Sequence, residues 1–159
     1  MPCKKCLVKP VHSFSKIGTL GDGASALYYT KPSIAQEDDS PDNMTDFFEH
    51  FEDTRPNPWF WIFDCKDMKS KDFISNGSGI KMAGVLQTSH YETLKGVFII
   101  NPTMTMRVFL GIIRPFLKKE TNSKIHMCSL GLINTVDKLQ KIGTSQKDIQ
   151  FIMKLITQG

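Results

Sequence analysis

Residues 90–128, HYETLKGVFIINPTMTMRVFLGIIRPFLKKETNSKIHMC, read as strand, apolar helix, basic turn and strand in unbroken succession. Residues 95–101 are β-branched and aromatic with no charge after the first, the composition of a strand buried on both faces of a mostly parallel sheet. Pro102 closes that strand. From 103 to 117, Met106, Phe109, Leu110, Ile113 and Leu117 recur at helical spacing, while Met104, Val108, Ile112 and Phe116 carry the apolar surface well beyond one face. Two covers for that surplus remain open: the chain's own core, or a ligand held under a movable helix. Pro115 has no amide hydrogen for the carbonyl of Gly111, so the helix is expected to bend at this pair. Just past the bend Arg114, Lys118, Lys119 and Lys124 stand against Glu120 alone, a patch that attracts anionic headgroups or phosphates. An apolar helix beside a basic rim is the composition of an amphiphile site.

Working outward, residues 59–64 form a strongly apolar second strand, and a helical stretch from about 80 to 93 carries Ile80, Met82, Ala83, Val85 and Leu86 back across the sheet. Strand, helix and strand in this order favour right-handed crossovers. The expected fold is therefore α/β, a mixed, mostly parallel sheet flanked by helices, with ligands near the C-terminal strand ends where Asp64, Asn101 and Pro102 fall. Residues 11–17 and 26–30 read as short strands around a Gly-rich turn at 18–23, which lacks the lysine and the spacing of a Walker loop. Residues 31–41 read as a polar linker. Ser40 is then an N-cap with Pro41 at the first helical position, and Met44, Phe47, Phe48 and Phe51 form a core-facing stripe. The tail after Leu130 is expected to make two short helices. Thr144 or Ser145 caps the second, and Ile149, Ile152, Met153 and Ile156 supply its docking face.

With 159 residues, 40% of them hydrophobic, the chain holds one domain's worth of core. The formal charge of +4 hides a segregation, because eight of the sixteen carboxylates lie between Glu37 and Asp53 with no Lys or Arg among them. A basic remainder opposite one acidic helix suggests a molecule oriented at an anionic surface. No nucleic-acid motif or exposed aromatic platform interleaves with the basic residues, so nucleic acid is not an expected partner. The start MPCKKCLVKP has charge but no apolar core behind it, and no stretch is apolar for long enough to span a bilayer. The expectation is a cytoplasmic protein, transiently membrane-associated, with its four cysteines as thiols. Cys3 and Cys6 form a lone CxxC; zinc would need two more ligands, and although His12 is near, no second CxxC or paired histidines follow, so no metal or cofactor is expected. Cys65 and Cys128 read as small core residues. His12, His50, His90 and His126 have no sequence partners that define a triad, and Asp64 and Asp67, the nearest thing to an acid and base pair, sit where turn-forming residues are common. An enzyme is not expected.

The run His90-Tyr91-Glu92-Thr93-Leu94-Lys95-Gly96 followed by Val97-Phe98-Ile99-Ile100-Asn101 resembles the CRAL-TRIO lipid-binding family, whose pattern is Tyr-Pro-Glu-Arg-Leu, a spacer, and an apolar strand ending in Ile-Asn. Arg114-Pro115-Phe116-Leu117 is similar to that family's Lys-Pro-Phe-Leu at the end of its gate helix. Thr121-Asn122-Ser123-Lys124-Ile125 is similar to its Thr-x-Ser-Lys-Ile leading into the next strand, and Trp61-Ile62-Phe63-Asp64-Cys65 to an upstream strand ending in an acidic and a small residue. The resemblance covers most of 27–130 and implies non-enzymatic binding, and possible transfer, of a lipid beneath a helical gate. In phosphatidylinositol-binding members a Glu, a Thr and a Lys from these motifs hold the headgroup, and those positions match Glu92, Thr121 and Lys124. The pocket and gate residues are then Met104, Met106, Phe109, Ile112, Ile113 and Phe116, with Gly111 and Pro115 as hinge. By their chemistry alone, Met82, Met104 and Met106 suit an adaptable apolar pocket and ordinary core gaps equally. The ligand implied is a phospholipid, most simply a phosphoinositide, drawn from an anionic membrane.

The chain also departs from the pattern. No helical region precedes the lobe, so residues 1–25 are expected to be an N-terminal segment with a short strand and the Gly-rich turn, and residues 26–159 a bare lipid-binding lobe. Tyr91 meets Glu92 directly, without the usual proline between them. The family's Leu-Pro and Gly-Gly signature is missing after Leu130. BCH and neurofibromin-type relatives have turned toward protein partners, so the alternative is a protein-interaction scaffold without lipid exchange.

Overall fold

The computed structural model describes residues 3–35, 41–69, 76–128 and 131–158. Five strands, β1 (Ser15–Thr19), β2 (Ala26–Thr30), β3 (Trp59–Asp64), β4 (Leu94–Ile100) and β5 (Ile125–Cys128), form one sheet in sequence order. β1 runs antiparallel to β2, and every later neighbour is parallel. Among the described residues seven α-helices flank the sheet: α1 (Lys4–Val8), α2 (Pro41–Glu52), α3 (Asn76–Ser89), α4 (Met104–Ile113), α5 (Lys119–Ser123), α6 (Gly131–Lys141) and α7 (Gln146–Gln158).

When parallel strands are laid down in sequence order with crossovers of one hand, each connecting helix must return over the same face. The cores follow that rule. Trp59, Trp61, Val97 and Ile99 alternate onto one face and pack with Met44, Phe47 and Phe51 of α2, Met82 and Leu86 of α3, and Met106, Phe109, Leu110 and Ile113 of α4. The intervening residues Phe60, Ile62, Phe98 and Ile100 point the other way, against Leu139 of α6 and Ile149, Ile152 and Ile156 of α7. Apolar residues on both sides of β3 and β4 are thus the mark of strands covered twice. The tail that covers the second face is anchored by Ser145, whose hydroxyl accepts from the amide of Asp148 at 3.2 Å. Asp148 in turn accepts from the amide of Gly21 at 2.8 Å, tying α7 to the β1–β2 turn.

Trp59–Asp64 is the strand its composition predicts, and the expected strand at 95–101 is β4, one residue earlier. The first strand begins at Ser15 rather than 11, because residues 11–14 turn toward α2 instead of pairing with β2. Within the expected linker, Pro32–Ile34 makes one turn of 3₁₀ helix. The cap expected at Ser40 lies outside the described residues. The expected helix at 80–93 starts earlier and stops at Ser89, since His90 and residues 91–93 form the turn into β4.

Candidate functional site

A cavity of about 80 Å³ lies between the sheet and the three helices α2, α3 and α4. Trp61, Val97 and Ile99 floor it, Phe47, Met82 and Leu86 wall it, and Met106, Phe109 and Ile113 roof it. Its lining is almost wholly apolar, so the cavity selects for hydrocarbon rather than for polar solutes. Thr103 starts the roof helix by accepting from the amide of Met106 at 3.2 Å. Close seating of α4 depends on Gly79 of α3, where a Cβ atom would stand 2.3 Å from Cζ and 2.5 Å from Cε2 of Phe109.

The six predicted gate residues divide between the two sides of α4. Met106, Phe109 and Ile113 are buried and line the cavity. Met104, Ile112 and Phe116 are 75%, 38% and 54% exposed, and with Val108 at 55% they make an outward apolar stripe four residues apart along the helix. Hydrophobicity all round the helix concealed this division. At the expected hinge, α4 gives way after Ile113 to a 3₁₀ turn over Arg114–Phe116, consistent with the missing amide of Pro115. Gln87 of α3, which the sequence did not single out, fastens this turn: its amide donates to the Phe116 carbonyl at 3.2 Å and accepts from the Lys118 amide at 2.9 Å.

Glu92 is exposed in the turn before β4, Thr121 is buried in α5, and Lys124 is half-buried at the C-cap of α5. Lys124 Nζ donates to the Tyr91 carbonyl and stands 5.3 Å from the centre of the Tyr91 ring. Lys95, at the irregular step where β4 shifts register against β3, donates to the Glu92 carbonyl at 2.8 Å. Two ammonium groups therefore meet at the 91–92 turn. Burial, with the charge of Lys95 added, holds Lys124 below the usual lysine range. Among the described residues neither lysine pairs with a carboxylate, and Glu92 reaches the group only through its backbone. Asn122, the variable position of the Thr-x-Ser-Lys-Ile motif, has its side-chain oxygen buried with no hydrogen-bond partner among the described residues.

This cluster precedes β4 and β5, at the end of the sheet opposite Asp64 and Asn101. The C-terminal strand ends, where a ligand was expected, are closed by a brace. Asp64 is fully buried and accepts from Tyr29 Oη at 2.7 Å, Asn101 Nδ2 at 2.9 Å and the Lys66 amide at 2.9 Å. Asp67 stands apart, its exposed carboxylate 3.7 Å from Lys31 Nζ. The Asp64 carboxylate is thus committed to the fold rather than to acid–base work. Cys65 is fully buried, its thiol pushed up to about 12 by burial, which makes it an inert core residue. The expectation that Cys3 and Cys6 lack further ligands needs correction, because folding brings His12 and His50 to them.

Among the described residues no helix is long and apolar enough to cross a membrane. Residues 43–143 match the family model described as CRAL/TRIO domain. That span runs from within α2 to just past α6 and contains most of the cavity lining, its roof and the lysine cluster. No curated protein matches the chain.

Proposed function

The chain belongs to the CRAL/TRIO domain family, and from that premise we propose that it holds one phospholipid, a phosphoinositide, under α4 with the headgroup at Lys124, Thr121 and Glu92. CRAL/TRIO domains bind lipids and other small lipophilic ligands, and they are in general binding and transfer modules rather than enzymes. The observation that carries the finer reading is the apolar cavity roofed by a helix whose outer face is also apolar. A helix with a core on one side and an exposed apolar stripe on the other suits a gate that leaves its pocket for a bilayer.

Magnitudes set the conditions for opening. Lifting Met106, Phe109, Leu110 and Ile113 into water would cost about 1.5–3 kcal/mol each, or about 6–12 kcal/mol together. The gate therefore stays shut in solution. Hydrocarbon on the far side removes most of that cost, and Met104, Val108, Ile112 and Phe116 meet it first. Arg107, Arg114, Lys118 and Lys119 are all exposed along the same helix and the turn after it, and they draw an anionic leaflet toward the stripe. The chain then acts as a cytoplasmic protein that visits membranes transiently.

At the headgroup, Lys124 and Lys95 supply positive charge for a phosphate, the Thr121 hydroxyl can donate to a phosphate oxygen, and Glu92 can accept from an inositol hydroxyl. A protein-interaction scaffold is the second reading, favoured by the size of the cavity, which at about 80 Å³ falls short of the roughly 300–1,000 Å³ typical of ligand pockets.

The test is to incubate the protein with phosphatidylcholine vesicles containing phosphatidylinositol and its phosphates, re-isolate it and analyse the extracted lipid. Selective recovery of inositol lipid by wild type, with the preference lost in Lys124→Ala, supports the proposal. Recovery of neutral lipid alone by both proteins rejects the headgroup assignment, and no recovery by either favours the scaffold. Vesicle binding that fades with salt and ignores headgroup structure would reduce the basic face to a non-specific tether.

A further inference from the structure

We propose that Cys3, Cys6, His12 and His50 form a tetrahedral zinc site that fastens the N-terminal segment to α2. Their ligand atoms all lie within 4.8 Å of one another. His12 Nδ1 sits 3.4 Å from Cys3 Sγ, 3.5 Å from Cys6 Sγ and 3.1 Å from His50 Nε2. A zinc ion with Zn–S of about 2.3 Å and Zn–N of about 2.0–2.1 Å requires tetrahedral edges of about 3.5 Å between N and S and about 3.3 Å between two nitrogens. The three separations from His12 Nδ1 fit those edges.

Hydrogen bonding alone does not account for this convergence. An imidazole nitrogen carries either one proton or one lone pair and so serves one partner well, yet three ligand atoms crowd the same Nδ1. The other nitrogen of His12 fixes the tautomer. Nε2 lies 3.0 Å from Asn43 Oδ1, and Lys5 Nζ approaches the same oxygen at 3.4 Å, which identifies that atom as the acceptor. Nε2 therefore carries the proton, and Nδ1 presents its lone pair to the other three ligands. A metal-bound imidazole usually donates its distal N–H to an oxygen acceptor outside the ligand set, and the Asn43 carboxamide oxygen fills that place here.

The local sequence explains the assembly. Cys3 caps α1, and its sulfur accepts from the Cys6 amide at 3.5 Å, so one turn of helix places both sulfurs on one side. Cys6 Sγ also accepts from the His12 amide at 3.5 Å. On α2, Asn43, Phe47 and His50 recur at i, i+4 and i+7 and share one face. Phe47 stands edge-on to the His12 ring at 5.6 Å, and Phe14 flanks His50 at 6.2 Å, giving the site aromatic walls. Cys3 and His50 are buried, as a structural site requires, and four protein ligands leave no open position for catalysis. Zn²⁺ would displace one proton from each thiol, and two thiolates with two neutral imidazoles balance its charge. Because Phe47 also walls the lipid cavity, the site would brace that wall from outside.

The test is metal analysis of the protein purified under reducing conditions, followed by removal of zinc with a chelator and titration with Co²⁺. The expected result is one zinc per chain. Co²⁺ should then give the visible band of a tetrahedral ion together with thiolate charge transfer in the ultraviolet, and chelation should lower the melting temperature. His50→Ala and Cys6→Ser should each lose the stoichiometric zinc. Should either variant fold poorly, the Co²⁺ spectrum of wild type still decides the question. Absence of metal from wild type even after Zn²⁺ is added, an octahedral Co²⁺ spectrum, or zinc retained in His50→Ala would each overturn the proposal.

Discussion

Replacing Gly79 with alanine tests the seating of the roof helix directly. The added Cβ would stand 2.3 and 2.5 Å from the Phe109 ring, whereas carbon atoms in contact settle at about 3.5–4.0 Å. Phe109, or α4 with it, must therefore retreat by about 1 Å. Overpacking of this kind costs about 1–3 kcal/mol. Against it stands the helix-propensity gain of Gly→Ala, up to about 1 kcal/mol. Gly84 isolates the two effects, since it lies in the same helix and its built Cβ meets nothing within 4 Å. Gly84→Ala should raise the melting temperature by propensity alone. Gly79→Ala should melt below it by the overpacking term, about 2–12 °C at roughly 2–4 °C per kcal/mol for a chain of this size. The displaced ring also loosens the roof, so lipid uptake from vesicles should be faster in Gly79→Ala than in Gly84→Ala. Equal melting temperatures and equal uptake rates would refute the close seating of Phe109 against Gly79.

Other perturbations follow from the same geometry. Gly111→Ala, also with an open Cβ position, should stabilise the protein by up to about 1 kcal/mol and slow lipid uptake by stiffening the hinge; faster uptake would contradict the hinge. Met104→Ser with Val108→Ser removes half of the outward stripe and should weaken vesicle association in flotation assays, while each change shifts stability by no more than about 0.5 kcal/mol; unchanged flotation would show that the stripe does not meet the bilayer. For pH, His90 is fully buried and held below the ordinary histidine range by burial and Arg55, opposed by Glu52, and His126 is lowered by burial and Lys138. Because the folded values are depressed, the unfolded chain takes up these protons first, so stability is complete above about pH 6.5 and is lost as the pH falls below it. Urea midpoints measured from about pH 7.5 down to about pH 5 should decline, and a flat profile would mean that these rings do not titrate against folding.

Much of the sheet was legible in the sequence because its strands are simple in composition. β3 up to Phe63, and β4 from Gly96 to Ile100, are unbroken runs without charge, followed by Asp64 and by Asn101-Pro102, and such runs mark strands covered on both faces. The break after Ile113 was legible because a proline without an amide leaves the chain little choice. The sides of α4 were not. With apolar residues on nearly every face, periodicity cannot tell Met106 from Met104, and the contacts of Phe109 with Gly79 decide it. For the proposed headgroup site the motif brought Glu92, Thr121 and Lys124 to attention, but the structure joins Lys124 to the Tyr91 carbonyl, within reach of the repulsive charge of Lys95, rather than to the Glu92 carboxylate. His50 is the clearest loss. It is separated from His12 by 38 residues, on a helix whose residues read as an ordinary core stripe, and only the packing of α2 against the N-terminal segment brings the two rings together.

Native mass spectrometry of the protein after exposure to mixed vesicles shows whether a lipid sits beneath α4. An adduct of one phospholipid per chain, present in wild type and abolished when Phe109→Trp fills the cavity, is the predicted result. A protein that remains free of lipid, or an adduct that Phe109→Trp leaves unchanged, would contradict the account of a lipid held beneath α4.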